Sequence, residues 1–231
     1  MKIVWLPGLD GQAGLHWAPV LPHLTDDERA RSVFLSLPDE PLGYAELVER
    51  IAPALPAEPL VLLGESFSGP LAVRLAERVG AAGVVLGASF VTRPRPAPAC
   101  IVGAWMFRAP PPRWALRAVM AGGATEAELD LVRGLLVATS PATLAARLTA
   151  VLQEDAGPML RGLACPVGYL AARRDRLVPP SALRAVRCAR PDVVVADVDG
   201  PHLLFQITPA AAMAGLRDVL QRMFTPRMAW R

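Results

Sequence analysis

A serine, an aspartate and a histidine follow three separate apolar runs of this sequence, in that chain order. Ser66 comes after residues 60–63, Asp175 after residues 166–171, and His202 after residues 192–198. A serine hydroxyl is a weak nucleophile until a base takes its proton, and a neutral histidine can do this near pH 7. A carboxylate on the other ring nitrogen would fix the histidine tautomer and stabilise the imidazolium. These residue types in this order favour nucleophilic attack on a carbonyl carbon.

The residues around Ser66 predict the sharp turn that such a nucleophile needs. The apolar run LVLL precedes GESFSG, and Pro70 opens a segment with the pattern of a helix. A serine between a strand and a helix is exposed at the edge of an α/β sheet, as in a nucleophile elbow. Gly-x-Ser by itself is more often an ordinary turn. The interpretation therefore depends on the flanking strand and helix, and on the order of Asp175 and His202.

Apolar runs and helical patterns alternate along most of the chain. Six strands are predicted at residues 2–6, 31–37, 60–63, 82–90, 166–171 and 192–198. Helices are predicted at residues 16–24, 44–55, 70–79, 180–189 and 209–224. Continuous apolar strands separated by helices imply a parallel sheet that helices cover on both faces. The length of 231 residues predicts a single α/β domain, with its chemistry at the carboxyl ends of the strands.

The pattern changes over about residues 92–152, where no strand is evident. Proline-rich connectors lead into helices that are expected after the capping box of Thr125 and Glu128 and after Ser140. We interpret this segment as an insertion that forms a helical cap over Ser66. Four of its side chains are assigned to cap packing and to the lining of an apolar pocket: Trp105, Met106, Phe107 and Trp114. Reaction rates should then rise with acyl length until the pocket is full.

These motifs resemble those of the serine hydrolases with an α/β-hydrolase fold, over essentially the whole chain. GESFSG is similar to the nucleophile elbow of that family, LPGLDG to its oxyanion loop, DRLVP to its acid loop and GPH to its histidine loop. The resemblance implies a compact six-stranded parallel sheet with helices on both faces and a helical cap. It also implies a catalytic triad of Ser66, Asp175 and His202, with no cofactor and no metal. The backbone N–H groups of Leu9 and Phe67 would bind the oxyanion.

The sequence departs from the family pattern at three points. Ser68 stands where the elbow usually has glycine, at a position that needs a small side chain. Pro7 replaces the usual histidine before Gly8, which removes a donor from the loop but leaves the oxyanion amide. The first strand matches the third strand of the family, so the sheet is expected to lack the preceding two-strand hairpin and to be all parallel.

Other acidic residues and histidines are weaker candidates for a role in the site. Asp197 falls inside a predicted strand, and Asp199 is too close in sequence to His202 to reach the far ring nitrogen easily. His16 and His23 are interpreted as surface or loop residues near the first helix. Asp10 is most simply a turn residue, although it could also order the oxyanion loop.

Composition argues against several other classes of protein. Gly8, Gly11 and Gly14 have the spacing GxxGxxG, not the GxGxxG of dinucleotide-binding loops, and no P-loop lysine motif exists. The net charge of +3 is small and the arginines are dispersed, which argues against nucleic acid as a partner. Three distant cysteines favour reduced, buried thiols over disulfides or a zinc site. No apolar run approaches the ~18 residues of a membrane span, and the short apolar N-terminus predicts a cytoplasmic protein.

The chemistry predicted from these residues is cleavage of an ester or thioester with an apolar acyl group. A serine nucleophile argues against the haloalkane dehalogenases and epoxide hydrolases of the same fold, which use aspartate. An acyltransferase would use the same triad, and LPGLDG with SFSG is also similar to plastid acyl-ester synthases. A non-catalytic ligand-binding protein is a further alternative, although such proteins usually lose a member of the triad. The predicted partner is a small acyl ester or thioester.

Overall fold

The structure is a computed structural model that describes residues 1–95, 97–120 and 122–225. A six-stranded parallel sheet in the order β2-β1-β3-β4-β5-β6 forms its centre. The strands are β1 (Lys2–Leu6), β2 (Ser32–Phe34), β3 (Leu60–Glu65), β4 (Gly83–Gly87), β5 (Val167–Ala172) and β6 (Val194–Val198). All six strands lie where the sequence predicts them, although β2, β4 and β6 are shorter than predicted. The α/β class and the six-stranded parallel sheet are confirmed.

Helices connect the strands and cover the sheet. The α-helices are α1 (Ala13–His16), α2 (Asp26–Arg31), α3 (Tyr44–Ile51), α4 (Ser68–Val79), α5 (Arg113–Val119), α6 (Glu126–Val137), α7 (Pro141–Gln153), α8 (Gly157–Gly162), α9 (Pro180–Ala189), α10 (Leu204–Ile207) and α11 (Pro209–Phe224). Short 3₁₀ helices span Ala18–His23, Ala52–Ala54, Ala99–Ile101 and Ala104–Phe107. Helix α2 was not predicted, although Thr25 and Glu28 form a capping box at its start. Helices α1, α5, α8 and α10 were not predicted either, and the helix predicted at residues 16–24 is a 3₁₀ helix at Ala18–His23.

The central strands are apolar along their whole length because both faces of the sheet are covered. Leu60 and Leu62 pack into a cluster with helices α3, α4, α8 and α9. Val61 and Leu63 face the opposite way and pack into a second cluster with α10 and α11. This alternation follows from the period of two in a strand. Each face therefore has its own apolar core, as the continuous apolar runs predict.

The order of the strands determines where loops can form a site. The chain passes from β1 outward to β2, and then returns to the other side of β1 with β3. The loops after β1 and β3 consequently leave the sheet at adjacent carboxyl ends, where the direction of winding reverses. Such a switch point is the usual ligand crevice of an open α/β sheet.

The segment between β4 and β5 contains α5 to α8. Its described residues form no strand, and their β structure is limited to an isolated bridge between Thr92 and Asp155. The expected capping box of Thr125 and Glu128 is present at the start of α6. Leu129 and Val132 of α6 pack with Leu203, which directly follows His202. This segment thus contacts the loop that carries the predicted catalytic histidine.

Two properties inferred from composition have different outcomes. Cys100 and Cys188 are exposed and Cys165 is partly buried, so the prediction of buried thiols is wrong for two of the three. Among the described residues, no single helix is both long and apolar enough to cross a bilayer; α6 and α7 meet that criterion only as a pair, with a bend of 95° between them. The cytoplasmic location stays a prediction from the sequence.

Candidate active site

Ser66 lies in the sharp turn between β3 and α4. Its φ of +50° is in the left-handed region, which an L-residue occupies only under strain. The turn is possible because Gly64 and Gly69 have no side chains: a Cβ on Gly64 would overlap the Ser68 backbone, and one on Gly69 would overlap Ser89. The backbone of this turn is therefore that of a nucleophile elbow.

The three residues of the predicted triad are joined by hydrogen bonds. Ser66 Oγ lies 2.8 Å from His202 Nε2, and His202 Nδ1 lies 2.8 Å from Asp175 Oδ2. The other carboxylate oxygen of Asp175 accepts from the backbone N–H groups of Leu177 and Val178, each at 2.8 Å. These bonds fix the Asp175 carboxylate, which in turn orients the imidazole so that Nε2 faces the hydroxyl.

Asp197 and Asp199, the two alternative candidates for the acid of the triad, lie away from the His202 ring. The Asp199 carboxylate pairs with Arg174 at 3.0 Å, and Asp197 is exposed on β6. The carboxylate that contacts the His202 ring is that of Asp175.

Two backbone amides beside Ser66 are available as oxyanion donors. Among the described residues, neither the Leu9 N–H nor the Phe67 N–H donates a hydrogen bond to another protein group. Both residues border the same cavity as Ser66 and His202. Unused donors in such a position can stabilise negative charge that develops on a carbonyl oxygen.

Two polar side chains fix the loop that carries the Leu9 amide. Ser68 Oγ donates to the Pro7 carbonyl, so the unusual serine of the elbow binds the residue that replaces the family's histidine. Arg147 of α7 is fully buried and donates to the Leu9 carbonyl at 2.7 Å and to the Pro38 carbonyl at 2.8 Å. A charged residue on the apolar face of a predicted helix was the signal for Arg147 in the sequence.

A second buried polar cluster lies next to the triad. His16 Nδ1 is 2.9 Å from Asp10 Oδ2, and His16 Nε2 is 2.5 Å from Glu65 Oε2. His16 is 1% exposed, so its interpretation as a surface or loop residue is wrong. Its burial results from the chain turning inward after β1, which residue spacing does not reveal. Gln206 Nε2 adds a hydrogen bond of 2.9 Å to Glu65 Oε2.

The cluster is held together by charge. Burial by itself lowers the pKa of His16, but attraction to the Asp10 and Glu65 carboxylates outweighs burial and raises that pKa to about 10. Burial also opposes ionisation of Asp10, whose pKa nevertheless lies below its usual value because of His16 and the Gln12 amide. In the described chain, no group of three or more His, Cys, Asp or Glu side chains is arranged to hold a metal ion.

A mainly apolar cavity of about 330 Å³ opens above Ser66. Its walls come from the loop after β4, from α6 and α7, and from the acid and histidine loops. Apolar residues of the cap that line it include Phe107, Val132, Leu135, Leu148 and Leu152. Ligand sites in proteins have this combination of apolar walls and a few polar groups.

The four cap residues predicted to line the pocket do not share one position. Phe107 lines the cavity, whereas Met106 borders a separate cleft with Leu136 and Val137. Trp105 and Trp114 are 66% and 74% exposed and do not border the cavity. The assignment of Trp105, Met106 and Trp114 to the pocket is therefore wrong. Trp105 and Met106 lie in a short 3₁₀ helix and Trp114 lies in the seven-residue helix α5. Neither element is long enough for its apolar spacing to show which side faces inward, so the prediction depended on residue type alone.

The α/β-hydrolase fold is defined here by three features: a six-stranded parallel sheet, a strained serine turn after β3, and a Ser–His–Asp arrangement at three strand ends. The chain has this fold.

Comparison with solved structures agrees with this assignment. A thermophilic esterase from Thermogutta terrifontis superposes with a TM-score of 0.78 at 19% identity, over 97% of this chain and 91% of the other. An enol-lactonase from Burkholderia xenovorans gives 0.75 at 20% identity, over 95% and 91%. An esterase from a Rhodococcus species gives 0.74 at 21% identity, over 96% and 91%. No family model matches the sequence, and no curated protein does.

Proposed function

We propose that the protein is a serine hydrolase that cleaves a carboxylic ester or thioester with an apolar acyl group. The observation that carries this proposal is the hydrogen-bonded chain Ser66–His202–Asp175, whose Ser66 and His202 line an apolar cavity. Solved structures that share the fold include proteins described as esterases, a lactonase and a deformylase, which agrees with hydrolytic chemistry. The substrate's acyl chain would occupy the cavity between α6, α7 and the sheet.

In the first half of the reaction, Ser66 Oγ attacks the acyl carbonyl carbon while His202 Nε2 takes the hydroxyl proton. The carbonyl oxygen becomes an oxyanion that the Leu9 and Phe67 amides would bind. Asp175 stabilises the imidazolium that has formed. Collapse of the tetrahedral intermediate breaks the bond to the alcohol or thiol, which leaves with the proton from His202.

In the second half, a water molecule gives a proton to His202 and attacks the acyl-enzyme. The acid is released, and the proton on His202 returns to Ser66 Oγ. An alcohol in place of water would give acyl transfer by the same steps. The ratio of free acid to new ester, measured with an added alcohol, distinguishes the two activities.

A fluorophosphonate probe tests the central claim. The wild-type protein should lose all esterase activity as one equivalent of probe reacts, and mass spectrometry should locate the adduct on Ser66. Ser181, an exposed serine at the start of α9, provides a matched control, because Ser181→Ala should label normally. Failure of the wild type to react, or an adduct elsewhere, would contradict a serine hydrolase centred on Ser66.

A panel of p-nitrophenyl esters and acyl-coenzyme A thioesters, with acyl chains from two to twelve carbons, tests the substrate class. Turnover should rise with chain length until the cavity is full and then fall. Each methylene that the cavity accommodates should strengthen transition-state binding by up to ~0.8 kcal/mol. A flat profile would show that the cavity does not select the acyl group.

A further inference from the structure

The buried cluster of Asp10, His16 and Glu65 joins the two backbone segments that carry the predicted oxyanion donors. Asp10 directly follows Leu9 in the loop after β1, and Glu65 ends β3 two residues before Phe67. His16 lies between the two carboxylates and contacts both. No residue of the cluster is hydrogen-bonded to a triad side chain, so the cluster lies outside the proton-transfer path described above.

We propose that His16 is a positioning residue whose ring, bridging Asp10 and Glu65, holds the Leu9 and Phe67 amides at the spacing that an oxyanion requires. This inference rests on the proposed function, because it concerns the same acyl-transfer site. His16 acts through the backbone amides and not on the substrate itself.

The bridge requires that both ring nitrogens of His16 donate. Each nitrogen faces a carboxylate oxygen, and a neutral imidazole has only one N–H. The charged side chains that face the ring are Asp10, from the loop after β1, and Glu65, from β3. The neutral Gln206 faces it from α10, and Arg147 of α7 acts on Asp10 from the far side of the loop. Two acids around one base favour the imidazolium.

The packing around the bridge leaves the ring little room to move. His16 and Glu65 are 1% and 0% exposed. A Cβ on Gly8 would lie 3.2 Å from His16 Cε1, so the backbone before Leu9 rests directly on the ring. Gln206 binds both the His16 carbonyl, at 3.2 Å, and Glu65. Charge-assisted hydrogen bonds in such a site are strong and directional, which suits a rigid spacer.

Loss of the bridge should affect the transition state more than the bound substrate. Oxyanion donors act on charge that exists fully only in the tetrahedral intermediate, so their misplacement lowers kcat with little change in KM. Complete removal of one donor lowers kcat about 10²- to 10³-fold in a well-studied protease. Displacement of the donors should therefore lower kcat about tenfold to a hundredfold.

The first experiment compares His16→Gln with His23→Gln, a substitution of the exposed histidine at the end of the following 3₁₀ helix. We expect kcat on the optimal p-nitrophenyl ester to fall about tenfold to a hundredfold in His16→Gln, with KM within about twofold. The inhibition constant of a boronic acid, which mimics the tetrahedral intermediate, should rise by a similar factor. His23→Gln should match the wild type. An unchanged kcat and inhibition constant in a folded His16→Gln protein would overturn the proposal, as would a change in KM alone.

The second experiment begins with the wild-type protein, whose core is unaltered. Wild-type kcat should fall reversibly as pH rises through about 10, because deprotonated His16 can bridge only one carboxylate. Glu65→Gln retains an acceptor and a similar shape but removes one charge, so this step should move to lower pH. A wild-type kcat that stays constant through this range, after correction for chemical hydrolysis, would contradict the proposal. This measurement decides the question if His16→Gln fails to fold.

The outcomes also separate this inference from the proposed function. If wild-type Ser66 does not react with a fluorophosphonate, the proposed function fails. If wild-type Ser66 reacts and esters are hydrolysed, but His16→Gln and the pH profile show no effect, only the positioning role of His16 fails.

Discussion

At the scale of single residues, the site depends on four hydrogen-bond donors: one hydroxyl, one imidazole N–H and two backbone amides. The Ser66 hydroxyl faces His202 Nε2, and the His202 Nδ1–H faces Asp175. The Leu9 and Phe67 amides donate to no other group in the part of the chain that the structure describes. The strained φ of Ser66 is possible because Gly64 and Gly69, which have no side chains, allow the backbone and Ser89 to approach the turn closely. Single substitutions of the residues that carry these side-chain groups should therefore change the reaction rate far more than the free energy of unfolding.

Ser66→Ala should leave less than about a thousandth of the wild-type ester hydrolysis, because the oxyanion hole and binding alone provide only a small residual catalysis. The substitution removes one partly buried hydroxyl, so the melting temperature should change little. Steady-state kinetics and a thermal melt measure both effects. Higher residual activity in a folded variant would rule out the covalent mechanism.

Asp175→Asn should lower kcat by a factor on the order of 10⁴, as the equivalent change does in a well-studied triad, because the amide favours the wrong tautomer of His202. Asp197→Asn and Asp199→Asn are matched controls, since both carboxylates lie on or just after β6 and neither contacts the His202 ring. Both controls should stay within a fewfold of the wild type. Equal effects of all three substitutions would argue against Asp175 as the acid.

At the scale of elements, α7 connects the cap to the catalytic loops. Its Arg147 side chain binds the Leu9 carbonyl, while its apolar face, with Leu148 and Val151, lines the cavity. The N-terminus of α7 is also fixed, because the Ser140 amide donates to the Asp39 carboxylate at 3.1 Å. One helix thus contributes both to the proposed acyl pocket and to the position of a proposed oxyanion donor.

Leu148→Trp should shorten the longest acyl chain that the protein accepts, because the larger ring fills part of the cavity. Each methylene that is excluded should lower kcat/KM about fourfold, the equivalent of ~0.8 kcal/mol. Ala142→Trp is the control, since Ala142 is exposed on the same helix. Chain-length profiles on p-nitrophenyl esters measure the effect. An unchanged profile for Leu148→Trp would show that the acyl chain binds elsewhere.

At the scale of the whole molecule, the winding of the sheet brings distant segments to one edge. The loops after β1 and β3 meet at the switch point, and α10 reaches them from the far end of the chain through Gln206. The buried charges there contribute to stability as well as to geometry, because a group with a shifted pKa links folding to pH.

The free energy of unfolding should depend on pH through His16. The pKa of His16 is about 10 in the folded protein and about 6.5 when unfolded. A raised pKa stabilises the fold fully below the unfolded value, and this stabilisation is lost as pH rises from about 6.5 to about 10. Its size is on the order of a few kcal/mol. Urea unfolding at several pH values should show this loss in the wild type and in His23→Gln. A folded His16→Gln protein should lack it, and a parallel loss in that variant would contradict the assignment.

Much of the fold and of the triad could be predicted from the sequence, because both depend on local patterns. Apolar runs of strand length identify all six strands, and parallel strands bring their carboxyl ends to one edge. A serine, an aspartate and a histidine placed directly after three such strands must then lie close together. The chain order of these three residues and the glycines around Ser66 can be read directly from the sequence, without knowledge of distant contacts.

Only the tertiary structure decided which residues surround the triad. His16 becomes a buried bridge because its partners are 6 and 49 residues away in the sequence, and no local pattern specifies such contacts. Phe107 enters the cavity while the neighbouring Trp105 stays exposed, because a short 3₁₀ turn and not a long amphipathic helix sets their directions. Local sequence determines strands, helices and turns, whereas the identity of a buried neighbour depends on how those elements pack.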